Sequence, residues 1–132
     1  AGIARFVFAS TCSVYGASGN TILHEDSPLA PTELYAETRV NAEKALAGAI
    51  RCGLRPTVLR FGTVYGVSPK LRGELVVNNL VGWALCAGRV RLTSDGSPWR
   101  PLVHVEDVCR VFLGVLEAPQ ELVHDEAFNV GR

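Results

Sequence analysis

Apolar positions along this chain follow two rhythms, short unbroken runs and longer stretches with helical spacing. Residues 5–10 form a near-continuous apolar run around Phe6-Val7-Phe8-Ala9, the pattern of a strand buried on both faces. Residues 57–61 repeat it. Between them, 16–32 carry Gly, Ser, Asn, Asp and two prolines and read as a long loop. Helical spacing follows over about 32–52, with Leu34, Ala42, Ala45, Leu46 and Ile50 expected inward and Gly53 as the stop. A second helix is expected over 75–87, ending at Gly88. Residues 89–93 alternate like a half-exposed strand, and Ser94-Asp95-Gly96-Ser97-Pro98 turns the chain. A short strand over 102–105 leads into a helix beginning at or beside Asp107 and running to about Glu117, and 128–130 makes a last strand. Strands alternating with helices predict an α/β protein with a parallel sheet.

Composition narrows the picture only slightly. The 132 residues fit one domain, and 48% hydrophobic content can supply its core. Thirteen basic residues balance thirteen acidic ones without a like-charge block, so the sequence points to neither nucleic acid nor a membrane surface as partner. The cysteines at 12, 52, 86 and 109 lack Cys-x-x-Cys spacing, and no histidine stands at metal-ligand spacing from them. They read as reduced thiols of a cytoplasmic protein that holds no metal.

The candidate chemistry lies in the first third of the chain. Tyr35 and Arg39 are four residues apart, on one face of a helix. There a positive charge favours the phenolate, the form in which a tyrosine accepts a proton. A free phenol titrates near pH ~10, so a base at neutrality needs a shift of roughly three units, about 4 kcal/mol. Thr11, closing the apolar run 5–10, adds a hydroxyl to the set. Such a trio suits oxidation of an alcohol by hydride transfer. The plain alternative for Arg39 is an ion pair with Glu43, its i+4 neighbour.

Six short motifs occur in one order: Ser-Thr-x-x-Val-Tyr-Gly at 10–16, Pro-Thr-x-x-Tyr at 31–35, Leu-Arg-x-x-x-Val-Tyr-Gly at 59–66, Asn78-Asn79-Leu80, Arg-x-x-Val-His-Val-x-Asp at 100–107, and Ala-Phe-Asn-Val-Gly at 127–131. In these the chain resembles the extended short-chain dehydrogenase/reductases, the NAD-dependent nucleotide-sugar epimerases and dehydratases. The resemblance implies a partial Rossmann-like doubly wound parallel sheet plus part of a small substrate-binding lobe. Residues 1–132 would be a partial domain, with about 1–66 the second half of the sheet and about 67–132 including part of the lobe. The family's glycine-rich pyrophosphate turn is absent among the 13 glycines, as is any methionine. The expectation is therefore an internal part of a protein more than twice this long, with little activity in these residues alone.

The resemblance also implies roles. Tyr35 would exchange a proton with the sugar hydroxyl, Thr11 would bond the reacting oxygen, and Arg39 would stand where the family has lysine. Arginine keeps the charge but is bulkier and does not deprotonate. Ser10, Tyr35, Arg39, Phe61 and Val64 would meet the cofactor, NAD with NADP as the alternative. Thr11, Cys12, Ser13, Asn79 and Arg100 would meet a nucleotide-sugar. The family's 4,6-dehydratases carry Asp-Glu directly after this threonine, where removal of water needs an acid and a base; Cys12 and Ser13 stand there instead. The function implied is an epimerase working through a keto intermediate. The alternatives are a weakly active or non-catalytic dinucleotide-binding module and an NAD(P)-dependent keto-sugar reductase. A full-length parent is open to homodimer formation. His104 reads as a strand residue and Asp107 as a helix N-terminal one.

Overall fold

The computed structural model describes every residue except Ala1, Gly2, Ala4, Ser18, Asn20, Thr93 and Pro98. In chain order the elements are β1 (Phe6–Thr11), α1 (Leu34–Ala49), β2 (Pro56–Phe61), β3 (Thr63–Tyr65), α2 (Val76–Ala87), β4 (Leu102–His104), α3 (Val105–Glu117) and β5 (Ala127–Val130). Short 3-10 turns occupy Cys12–Tyr15, Ile50–Cys52 and Gln120–Leu122.

Parallel pairing follows from the crossovers, since each chain return between paired strands passes through a helix. β2 lies between β1 and β5, parallel to both. Thr11 is opposite Phe61 and Phe61 is opposite Val130, so all three strands end level at their carboxyl edge. The chain then changes partner within one residue: the Gly62 N–H donates to Val130 O and the Thr63 N–H to Pro101 O, both at 2.8 Å. From there β3 pairs in parallel with β4 as a second, two-stranded sheet.

The main core lies between β2, β4 and α3, built on Leu59, Phe61, Val103, Val115 and Val123. The Phe61 and Phe112 rings meet at 5.5 Å between centroids, within the range of favourable aromatic pairs. A smaller core of Val14, Tyr15 and Val40 joins the turn after β1 to α1. Arg5 forks onto the carbonyls of Val115 (2.8 Å) and Ala118 (2.6 Å), a cation at the carbonyl end of α3.

Two expectations are corrected. The first helix is shorter than 32–52: it is Leu34–Ala49, followed by the 3-10 turn that Gly53 stops at φ 85°. Its buried positions are Ala36, Val40 and Glu43, whereas Leu34 is 76% exposed and Ala45 is exposed. Burial follows the i, i+4, i+7 stripe that faces the sheet, and one of its members is a carboxylate. The other correction concerns 89–93. Residues 89–92 form no strand and are exposed, and Thr93 lies outside the described residues. Alternation supplied the side-chain pattern of a strand but no neighbouring strand to pair with.

The later elements lie close to their expected limits. Gly88 caps α2 in the left-handed region at φ 62°, donating to Ala84 O at 3.1 Å. α3 begins at Val105, with Glu106 and Asp107 in its first turn. His104 caps it by accepting the Glu106 N–H on Nδ1 at 3.3 Å. Asp107 pairs with Arg110 at 2.7 Å.

Candidate active site

In open α/β sheets ligands bind beyond the carboxyl ends of the strands. Thr11 ends β1 at that edge, and Tyr35 opens α1 in its first turn. Thr11 Oγ1 accepts the Ser13 N–H at 3.2 Å and so caps the turn Cys12–Tyr15. Tyr35 is 52% exposed. The Arg39 guanidinium carbon lies 5.1 Å from the Tyr35 ring centroid and 5.5 Å from that of Phe8, and Nη1 donates to Ala9 O at 3.4 Å. Arg39 therefore joins the tyrosine to the strand that Thr11 closes. The contact is charge over ring face, worth roughly 0.5–1 kcal/mol at an exposed site.

The Arg39–Glu43 pair, the plain alternative for Arg39, does not form. Glu43 turns to Arg60 on β2, with Nη2 to Oε2 at 2.8 Å and Nε to both carboxylate oxygens at 3.3 Å. Both side chains are 8% exposed. Ser10 Oγ donates to Glu43 Oε1 at 2.5 Å. Arg60 Nη1 donates to the Tyr15 hydroxyl at 2.7 Å and to Glu25 O at 2.9 Å. The Tyr15 hydroxyl donates onward to Asn129 Oδ1 at 2.8 Å, and the Asn129 N–H to Glu25 Oε1 at 2.7 Å. Burial works against the Arg60 charge, but the bonds to Glu43 and Tyr15 outweigh it and hold the guanidinium protonated. The Asn129 N–H lowers the Glu25 carboxyl below its ordinary range. One visible signal pointed to this network, a charge at Arg60 inside the two-faced apolar run 57–61, where an unpaired charge is costly.

Other expected contacts divide. Cys12 Sγ donates to Arg60 O at 3.1 Å, and burial pushes its thiol up to about 11 although the Arg60 charge pulls the other way. Ser13 is exposed. Phe61, expected beside a nicotinamide, is 7% exposed and packed in the main core; its side chain falls on the strand face that meets α3. Val64 borders that core and also lines a cavity of about 120 Å³ with Tyr65, Ser68, Lys70 and Asn78. Arg100 lines a broader cavity of about 490 Å³ with Trp99, Val76 and Leu102. Asn79 lies partly buried in α2. Thr11, Tyr35 and Arg39 line neither cavity. Among the described residues, no cluster of His, Cys, Asp or Glu could hold a metal, and no helix is long and apolar enough to cross a membrane.

Parallel strands joined by helices, with Thr11 closing β1 at the carboxyl edge and Tyr35 in the first turn of the helix that follows, define a Rossmann-like α/β architecture. The chain belongs to the NAD dependent epimerase/dehydratase family, whose family model matches residues 1–131. It is 36% identical over 124 residues to a UDP-glucose 4-epimerase of Azospirillum brasilense, covering 82% of this chain and 35% of that protein. It is also 33% identical over 110 residues to a dTDP-glucose 4,6-dehydratase of Streptomyces griseus, covering 83% and 33% respectively. In structure it is similar to UDP-glucuronic acid 4-epimerase from Bacillus cereus, in complex with UDP-glucuronic acid and NAD. That match has a TM-score of 0.82 and 26% identity, over 97% of this chain and 40% of that one. The chain thus spans well under half the length of these relatives.

Proposed function

We propose that this chain supplies the proton-transfer and substrate-facing part of an NAD-dependent epimerase acting on a nucleotide-activated sugar. The observation that carries the reading is the half-exposed Tyr35, with Arg39 over its ring and bonded to the strand that ends at Thr11. The donor set fits the cofactor: an exposed phenol and a guanidinium suit the hydroxyls of a ribose. The side chains of Phe61 and Ser10 are committed to the core and to Glu43, so a cofactor contact at these strand ends would fall to their backbone. NAD, when bound, accepts and returns the hydride.

This chain's residues would handle the proton. Tyr35 takes it from the sugar hydroxyl as the carbon is oxidised to a ketone, while the Thr11 hydroxyl bonds the same oxygen. Tyr35 returns the proton when the ketone is reduced from its opposite face. Epimerase is favoured over dehydratase because Cys12 and Ser13 follow Thr11 and neither side chain is a carboxylate. The basic and polar side chains Lys70, Asn78, Asn79 and Arg100 suit a substrate diphosphate. The small lobe from about residue 67 onward would carry them.

A second reading, a weakly active binding module, draws support from Arg39. Its guanidinium lies on ring faces and against Ala9 O, where a lysine would offer a compact ammonium to a ribose. The test is conversion of UDP-glucose to UDP-galactose by the gene product containing residues 1–132, with NAD. Tyr35→Phe should lower kcat by about a hundredfold or more while KM stays near its starting value. Arg39→Lys should raise kcat about tenfold, a gain of about 1.4 kcal/mol at the transition state. Turnover untouched by Tyr35→Phe would refute Tyr35 as the proton carrier, and no turnover either with Arg39 or with Arg39→Lys would transfer the case to the binding module.

A further inference from the structure

The residues on both sides of Thr11 turn inward. Ser10 donates to Glu43 and Cys12 donates to the Arg60 carbonyl, while Tyr15, one turn on, accepts from the Arg60 guanidinium. The Ser10 and Tyr15 contacts end on the Glu43–Arg60 pair itself, and the Cys12 contact ends on the Arg60 backbone. The same pair holds α1, because Tyr35, Arg39 and Glu43 follow at four-residue steps along that helix. Glu43 lies about 12 Å beyond Tyr35 at a rise of 1.5 Å per residue. Arg60 also reaches the segment after the turn through Glu25 O, and Asn129 on β5 closes that circuit through Tyr15 and the Glu25 carboxylate.

We propose that Arg60 is a positioning residue that fixes the helix bearing Tyr35 and the strand end bearing Thr11 at one spacing. It touches neither substrate nor cofactor in this scheme, and its place in catalysis rests on the reading of Tyr35 and Thr11 given above. The physical basis is the planar guanidinium. Its fork meets a carboxylate, a phenol and a carbonyl on three different segments at once, with both partners of the ion pair sealed from water. Lysine at the same site keeps the charge but cannot span all three. The carboxylate performs the matching task on its side, taking both Ser10 and Arg60. Movement of α1 relative to β1 would have to break charge-assisted bonds in a dry interior.

Amide hydrogen exchange of the gene product containing residues 1–132 tests the mechanical part without any ligand. Arg60→Lys should speed exchange about tenfold or more in residues 12–30 and 34–43, with α3 unchanged. Tyr15→Phe, which removes one hydroxyl, should loosen 12–30 alone. In the turnover assay of the gene product, Arg60→Lys should lower kcat about tenfold with KM within about twofold. An equal rise in exchange across α3 would overturn the proposal, because Arg60 would then be an ordinary stability residue. A raised KM at constant kcat would overturn it as well. Should Tyr35→Phe leave turnover intact, the functional reading fails, and the exchange pattern still decides whether Arg60 couples the two segments.

Discussion

Replacing Glu43 by alanine should be among the most damaging single changes in this chain. The substitution strips Arg60 of its bonds at 2.8 and 3.3 Å and leaves Ser10 without its acceptor. The stranded guanidinium side chain is 8% exposed, so water cannot replace the carboxylate, and Tyr15 and the Glu25 carbonyl remain as neutral partners only. Breaking a buried pair in this way costs about 3–5 kcal/mol. Domains of this size have total stabilities of about 5–15 kcal/mol. At roughly 3–5 °C per kcal/mol, the midpoint of thermal unfolding should fall by at least about 10 °C. Urea titration followed by circular dichroism measures the cost directly. Removing both charges, as in Glu43→Leu with Arg60→Leu, should cost less than the sum of the two single substitutions, because no unpaired charge remains. A loss below about 1 kcal/mol for Glu43→Ala, or strict additivity in the double variant, would refute the view that these groups form one buried unit.

Further expectations follow from single atoms. At Gly16, φ is 72° and an added Cβ would stand 2.0 Å from Ala30 O; Gly16→Ala should destabilise by more than about 1 kcal/mol in the same urea titration. Glu25 has a carboxyl pKa held below its usual 4.5, first by the Asn129 N–H. Its contribution to stability is therefore complete above about pH 4.5 and is lost as pH falls through the lowered folded value. Glu25→Gln should flatten that acid limb while leaving the slope above pH 6 unchanged. Cys12, with a thiol pushed up to about 11, should alkylate at pH 8 far more slowly than the exposed Cys52, Cys86 and Cys109; mass spectrometry of iodoacetamide-treated protein reads the order.

The strands were legible from mostly apolar runs, as at 5–10 and 57–61; burial is nearly complete along β2 and only partial along β1. Helix ends were legible where glycine accepts a left-handed turn, as at Gly53 and Gly88. What depended on distant partners was not. Val90 and Leu92 alternate correctly for a strand, yet both remain more than half exposed with no neighbour to complete a ladder. Leu34 counted as core by polarity but lies on the outer side of the first turn of α1. Glu43 offered itself in sequence as an i+4 partner for Arg39, but its partner is 17 residues away on β2. At the candidate site, Tyr35 and Arg39 were placed together by helical spacing alone. The inward commitment of Ser10, Cys12 and Phe61 depends on which strand face meets which helix, and local sequence does not carry that.

The order in which the sheet can assemble has a consequence for folding kinetics. β2 completes its pairing only with residues 127–130, and several contacts of the early segments join residues more than a hundred positions apart: Arg5 to Val115, Glu25 to Asn129, Tyr15 to Asn129. Loop-closure entropy must be met before such contacts give any return. The early strand and Arg60 therefore wait, as the polypeptide leaves the ribosome, for a segment made near the end of these residues. Until then Val7, which packs against the core that includes Val103, Val115 and Val123, lacks part of its cover, and the nascent chain passes through a state suited to chaperone capture.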